Sequence, residues 1–272
     1  MRLILLIAAL CCLSLCEHKA AEEAEDKAVA AGVAQESDIT RKRAQDDDIA
    51  LKLAPHEADR PTTEPSPRTV KSRTALQMDS LGLLNVAEQD SSIVVSLMYA
   101  RADNFTGRVL YTDLHEAYLH PDAMRCLLKA QQLLKERRPD LTLAVYDAAR
   151  PMRVQQVMWD AVKGTAQQNY VSNPARGGGM HNYGVAVDIT LATLDGDTLP
   201  MGTKIDHLGR EAHIGDEAAM VRQGKLTQEA WENRQLLRSV MTEAGFKTLP
   251  SEWWHFNLMS RNETIKKYRI IK

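Results

Sequence analysis

No aromatic residue occurs before Tyr99, and all fourteen lie between Tyr99 and Tyr268. A stretch lacking large apolar side chains cannot bury enough surface to offset the entropy of ordering its backbone. The folded part of the chain is thereby confined to its later portion. Residues 17–75 read as a disordered tether. "EHKAAEEAEDKAVAAGVAQE" is helix-competent, while "PHEADRPTTEPSPRTVKSR" is rich in proline and polar residues that keep it extended. This segment holds thirteen acidic and ten basic residues, a net of −3. With Arg2 at +1 and a whole-chain charge of −2, residues 76–272 are left neutral. A neutral domain without a basic stripe argues against nucleic acid as a partner.

Residues 1–16, "MRLILLIAALCCLSLC", set one positive charge ahead of an apolar run from Leu3 to Leu13. That run has the length of a secretory leader and is short for a bilayer span. The chain is expected to be exported, to the periplasm or cell envelope. "LSLC" resembles a bacterial lipoprotein cleavage box, with Leu15 where such boxes carry a small residue. Membrane attachment is expected only through a lipid anchor at Cys16. Three of the four cysteines lie in this leader. Cys126 alone remains in the body, so no internal disulfide forms there; within "AMRCLLKAQQLLK" it reads as a small core residue. No feature of the sequence assigns an oligomeric state.

Periodicity divides the domain, 76–272, into interleaved elements. Strands are expected over 91–100, 141–151, 183–191 and 251–258. Helices are expected over 121–139, 153–164 and 227–246, the last with Gly245 as its cap. There is no regular βαβ beat, so the expected class is α+β: a single domain with a mostly antiparallel sheet flanked by helices.

The common nucleophile motifs G-x-S-x-G and S-x-x-K are absent, as are G-x-G-x-x-G, the phosphate loop and the H-E-x-x-H helix. In "GGGMHNYGVAVDIT", His181 stands at the mouth of a strand-like run and Asp188 inside it. "SEWWHF" adds Glu252 and His255. Two imidazoles and one carboxylate suit a single zinc ion, with water in the fourth position and Glu252 as its base. Spacing alone leaves this open. In a flat strand, residues seven or three apart face opposite ways. His181 and Asp188 converge only if the chain bends, for which Gly184 is the obvious place, and Glu252 and His255 need a comparable twist. The competing reading makes His255 a strand histidine bonded to a carbonyl and Asp188 a turn residue.

"H-x-x-G-x-A-x-D" from His181 and "E-x-W-H" from Glu252 resemble the zinc peptidases that act on D-amino acids in bacterial wall peptides. "YARADNFTG" (Tyr99 to Gly107), "YDAARP" (Tyr146 to Pro151), "MGTKID" (Met201 to Asp206) and "SEWWHF" narrow the resemblance to the D-alanyl-D-alanine dipeptidase branch associated with vancomycin resistance. The resemblance implies a Hedgehog/DD-peptidase-like fold and one Zn2+ per chain on His181, Asp188 and His255. It further implies Glu252 as general base, Arg150 as donor to the scissile carbonyl, and a substrate pocket including Asp206, Tyr99 and Gly179. Asp206 would pair with the free ammonium of a dipeptide. Gly179 stands where the family commonly has serine, and Ile205 where it commonly has phenylalanine; both departures touch substrate recognition. The expected reaction is hydrolysis of D-Ala-D-Ala or a similar D-dipeptide in cell-wall peptide metabolism. The rivals are a D,D- or L,D-carboxypeptidase trimming longer wall peptides and a non-catalytic wall-binding lipoprotein. The remaining histidines, His115, His120, His207 and His213, are expected to be structural or exposed; a place in the pocket wall is the lesser alternative for His207 and His213, which lie near Asp206 in sequence. Trp253 and Trp254 are expected to divide between core and pocket wall.

Overall fold

The computed structural model describes residues 70–272. The expected leader, the Cys16 anchor and nearly all of the tether lie outside the described residues. Among the described residues the first element starts three residues before Leu76: helix α1 (Arg73–Ser80) is capped by the Ser72 side chain and buries Thr74 and Ala75.

The elements that follow are β1 (Leu84–Asn85), α2 (Val86–Gln89), β2 (Val94–Val95), β3 (Tyr118–Leu119), α3 (Pro121–Arg137), β4 (Leu141–Asp147) and α4 (Met152–Val162). After them come β5 (Ala186–Thr193), α5 (Glu217–Arg222), α6 (Gln228–Glu243), β6 (Lys247–Leu249), β7 (Glu252–Asn257) and α7 (Arg261–Lys267), with short 3-10 turns between. Five strands form the main sheet in the order β2-β4-β5-β7-β6; β1 and β3 form a small second sheet. The β2–β4 pair is parallel and the other three pairs are antiparallel. The sheet is therefore mostly antiparallel in a mixed α+β domain, as expected.

Helix α3 starts where Pro121 needs no hydrogen-bond donor and the His120 side chain accepts from the N–H of Asp122. Its buried positions Ala123, Met124, Leu127, Ala130 and Leu134 recur at helical spacing. Helix α6 ends in a Schellman turn. Phe246 N–H donates to Met241 O at 3.0 Å and Gly245, with φ 112°, donates to Thr242 O at 3.0 Å. These two helices pack on each other and on β4, β5 and β7. Val145, Ile189, Leu191 and Phe256 join Leu127, Leu134, Leu237 and Met241 in one fully buried core. Burying each such side chain contributes roughly 1.5–3 kcal/mol.

The expected strand over 91–100 is only two residues long. Ser96 N–H still donates to Val145 O at 2.9 Å, but the chain then leaves the sheet as a 3-10 turn, Met98–Ala100. Leu97, Met98 and Tyr99 are all buried, so three consecutive side chains find apolar cover that strand alternation would deny one of them. That departure carries Tyr99 towards the sheet face opposite the helices. Among the described residues no helix is long and apolar enough to cross a membrane.

Candidate active site

One row of side chains crosses the three central strands. Asp147 on β4 lies opposite Asp188 on β5, and Asp188 lies opposite His255 on β7. A bulge at Tyr146 shifts the register, so that Asp147 rather than Tyr146 meets Asp188. His181 joins from outside the sheet. It sits in the 3-10 turn Met180–Tyr183, which Gly184 closes at φ 68° before β5 begins. The bend expected at Gly184 is present, and it turns the imidazole back over the strand it precedes. A Cβ at that position would meet Leu83 Cδ2 at 3.1 Å and the His120 nitrogen at 3.3 Å.

Glu252 reaches the same place through irregular pairing. Thr248 on β6 pairs with Phe256, yet the next residue, Leu249, pairs with Glu252. Trp253 to His255 thus have no partner on β6, and the local twist lets Glu252 and His255 line one cavity despite their three-residue spacing.

The donors fit a metal ion. His181 Nε2 is 3.2 Å from His255 Nδ1 and 3.3 Å from Asp188 Oδ1, and His255 Nδ1 is 2.9 Å from Asp188 Oδ1. An ion about 2.0–2.1 Å from each donor at tetrahedral angles would hold them roughly 3.3 Å apart. The far nitrogen of each ring is already engaged, His181 Nδ1 with the Ala148 carbonyl at 2.7 Å and His255 Nε2 with Asn257 Oδ1 at 2.9 Å. Donation there fixes each tautomer and leaves a lone pair on the nitrogen facing the cluster. All three residues are buried. Burial alone would raise the Asp188 carboxyl, but the adjoining His181 and His255 imidazoles outweigh it and hold Asp188 well below the usual range.

Around this cluster lies a cavity of about 380 Å³, whose lining includes Tyr99, Arg150, Gly179, Asp206, Glu252 and Trp254. Every site residue expected from the sequence is therefore brought to one place. Arg150 is clamped. Its Nε donates to Asp147 Oδ2 at 2.9 Å, its Nη2 donates to the same oxygen, and its Nη1 donates to Gln155 Oε1 at 2.9 Å. Its guanidinium lies 5.0 Å from the Tyr99 ring centroid. Burial opposes its charge, but Asp147 beneath it more than compensates and raises its pKa. Asp206 adopts φ 72°, the left-handed region that a non-glycine residue seldom occupies. It accepts from Tyr99 OH at 2.9 Å and from Phe105 N–H at 3.0 Å. Burial, reinforced by the charge of Asp188, still pushes its carboxyl up to about 6. Glu252 is pushed up to about 7 by burial and then by Asp188 and Asp206. At Gly179 an added Cβ would lie 3.0 Å from Ser172 Oγ.

Asp147, Gln155, Asn257 and Tyr111, whose hydroxyl donates to Asp147 Oδ1 at 2.5 Å, are supports that the motifs did not single out. Asp147 lies inside "YDAARP", and Asn257 shares a strand face with His255; both positions were signals. Trp254 lines the cavity as one of the expected pair. Trp253 faces a neighbouring cleft and donates from Nε1 to Thr203 Oγ1 at 2.8 Å. His207 contacts Glu211 at 3.1 Å, His120 caps α3, and His115 is exposed.

A triad able to hold a metal, two members on neighbouring strands and one on the turn before them, with a carboxylate of raised pKa and a fixed guanidinium in the same cavity, is the arrangement of a metal-dependent hydrolase. The sequence profile of a family described as D-ala-D-ala dipeptidase matches residues 79–269. The chain is 33% identical over 180 residues to the D-alanyl-D-alanine dipeptidase of Escherichia coli (strain K12), covering 66% of this chain and 86% of that protein. It is 32% identical over 176 residues to that of Enterococcus faecium, covering 59% and 83%. With that of Streptomyces coelicolor it shares 30% identity over 192 residues, covering 64% and 89%. The chain belongs to the D-Ala-D-Ala dipeptidase family of metallopeptidases.

Proposed function

We propose that this protein hydrolyses D-Ala-D-Ala or a closely similar D-dipeptide, using zinc held by His181, Asp188 and His255. The observation that carries the reading is the convergence of that triad with Glu252, Arg150 and Asp206 in one cavity. When bound, zinc would polarise the scissile carbonyl and lower the pKa of water. Glu252 takes a proton from the attacking water and returns it to the leaving amine as the C–N bond breaks, a task suited to a carboxylate near neutrality. Arg150, held by Asp147 and Gln155, donates to the carbonyl oxygen as negative charge develops there. Asp206, steadied by Tyr99, accepts the substrate ammonium. Ser172 brings a hydroxyl to the place that a side chain on Gly179 would fill, so the wall keeps a polar group there. From residues 1–16 we further infer export, with action in the cell envelope on products of wall-peptide metabolism.

The test offers the zinc-loaded protein D-Ala-D-Ala and, separately, a pentapeptide ending in D-Ala-D-Ala. Cleavage of the dipeptide alone supports the proposal. Efficient release of D-alanine from the pentapeptide would reassign the protein as a carboxypeptidase, and failure on both substrates would contradict a D-Ala-D-Ala hydrolase.

A further inference from the structure

Two walls of the cavity come from segments far apart in sequence, and each is anchored from below. On the Arg150 side the wall is Tyr170, the last residue of the 3-10 turn Ala166–Tyr170, with Val171 and Ser172. Gln155, 1% exposed, donates from Nε2 to the Ser172 carbonyl at 2.9 Å while its Oε1 accepts from Arg150. Facing it are Asp206 and Leu208, at the start of a segment that runs on to His213 and Ile214 behind the cavity lining. Arg234, also 1% exposed, donates to the Met201 carbonyl at 2.7 Å and to the Glu211 carbonyl at 3.0 Å. Ile214 N–H donates at 3.0 Å to the Pro250 carbonyl, in the turn that leads to Glu252.

The walls meet where the Tyr170 hydroxyl lies 3.0 Å from His213 Nε2, with ring centroids 6.1 Å apart. Tyr170 lines the cavity. Neither residue belongs to the metal cluster, and neither has a role in the chemistry above. The contact spans two supports that are tied, through Gln155 and Pro250, to the segments bearing Arg150 and Glu252.

We propose that the Tyr170–His213 bridge closes one end of the cavity and sets the length of the substrate. The inference rests on the D-dipeptide reading. Volume does not impose that limit, because a cavity of about 380 Å³ falls within the roughly 300–1,000 Å³ of pockets that hold far larger ligands. Room for a third residue exists, and Asp206 rewards an ammonium at dipeptide distance without blocking a longer chain, so steric exclusion requires a barrier. The hydroxyl and the imidazole satisfy each other, and a longer peptide would have to part them and displace the tyrosine ring.

The experiment compares zinc-loaded wild type with Tyr170→Phe, Tyr170→Ala and His213→Ala on D-Ala-D-Ala and on tri-D-alanine, which carries an extra residue whichever end binds. The ratio of kcat/KM for tripeptide over dipeptide is expected to rise at least tenfold in Tyr170→Ala and His213→Ala. The Tyr170→Ala/His213→Ala pair should gain little beyond either single change, because both break one contact. Binding of the two peptides by calorimetry, with each protein also carrying Glu252→Gln to stop hydrolysis, supplies a readout independent of turnover: the tripeptide is expected to bind these variants at least tenfold tighter than the Glu252→Gln protein alone. Tyr170→Phe keeps the ring and reports on the hydrogen bond with the least disturbance to folding; a rise in its ratio is expected too. An unchanged ratio and unchanged tripeptide affinity in variants that still process the dipeptide would overturn the bridge. Wild type that binds neither peptide would instead overturn the dipeptide reading, and the length limit with it.

Discussion

Glu252 and Asp206 are carboxyls whose environments push them towards neutrality, and their tasks differ. A base that accepts and returns a proton works best near the operating pH, and Glu252 lies at about 7. Glu252→Gln keeps the shape and loses the base; kcat on D-Ala-D-Ala should fall about 10²–10⁴-fold while metal content stays that of wild type. Asp206 must be ionised to hold an ammonium, and it lies at about 6. KM for a dipeptide should therefore rise as pH falls through about 6, a trend steady-state kinetics will follow directly. Its stability effect has the opposite sense. A carboxyl whose pKa is higher folded than unfolded contributes stability at low pH and loses it as pH rises through about 6. Asp206→Asn, which suits the left-handed backbone at φ 72°, should melt above wild type at pH 8 and show little difference at pH 4. A higher wild-type melting point at pH 8 would contradict this. At this scale residue type and spacing left the candidate ligands open, and the motifs around His181, Asp188 and His255 made them legible. Gln155 was not, since a side chain that merely orients another carries no characteristic spacing, whereas Asn257 was signalled only by sharing a strand face with His255.

Elements shape the site mainly where they break their own regularity. The turn at Gly184 folds His181 back over β5, and the unpaired stretch Trp253 to His255 turns Glu252 to the ligand side. Gly184→Ala forces a left-handed alanine against Leu83 and the His120 backbone. It should cost on the order of 1–2 kcal/mol of stability and weaken metal binding by shifting His181 relative to Asp188. Denaturant unfolding and zinc titration would check both, and an unperturbed metal affinity would count against the turn's positioning role. The long helices α3 and α6 were readable because four or five turns of apolar spacing leave little ambiguity. The short strands β1, β3 and β6 were not, because two or three residues display no period. The expected strand over 91–100 misled for a related reason: its β-branched residues fit a strand, but burying Leu97, Met98 and Tyr99 together took precedence.

For the whole described domain, strand alternation sets the helix-packed core residues Val145, Ile189, Leu191 and Phe256 apart from the metal ligands, although the same apolar cluster reaches the cavity wall at Tyr99, Met158 and Trp254, so the fold does not depend on the metal for its core. Chelation should abolish hydrolysis and leave the far-UV circular dichroism unchanged. Because metal binds the folded form, saturation at 100 times Kd adds about 2.7 kcal/mol, and removing it should lower Tm by several degrees. Collapse of the secondary structure on chelation would refute that separation. That the residues beyond about 76 fold was legible from the distribution of aromatics, whereas the helix starting at Arg73 was hidden because α1 is anchored by alanine, threonine and methionine rather than aromatic side chains.

The most direct test of metal-dependent dipeptide hydrolysis is the rate on D-Ala-D-Ala as zinc is added stepwise to the metal-free full chain. The predicted result is activity that rises in proportion to added zinc and saturates at one ion per chain, with His255→Ala failing to reach it. Full activity before any metal is added, or one bound zinc per chain with no hydrolysis, would contradict it.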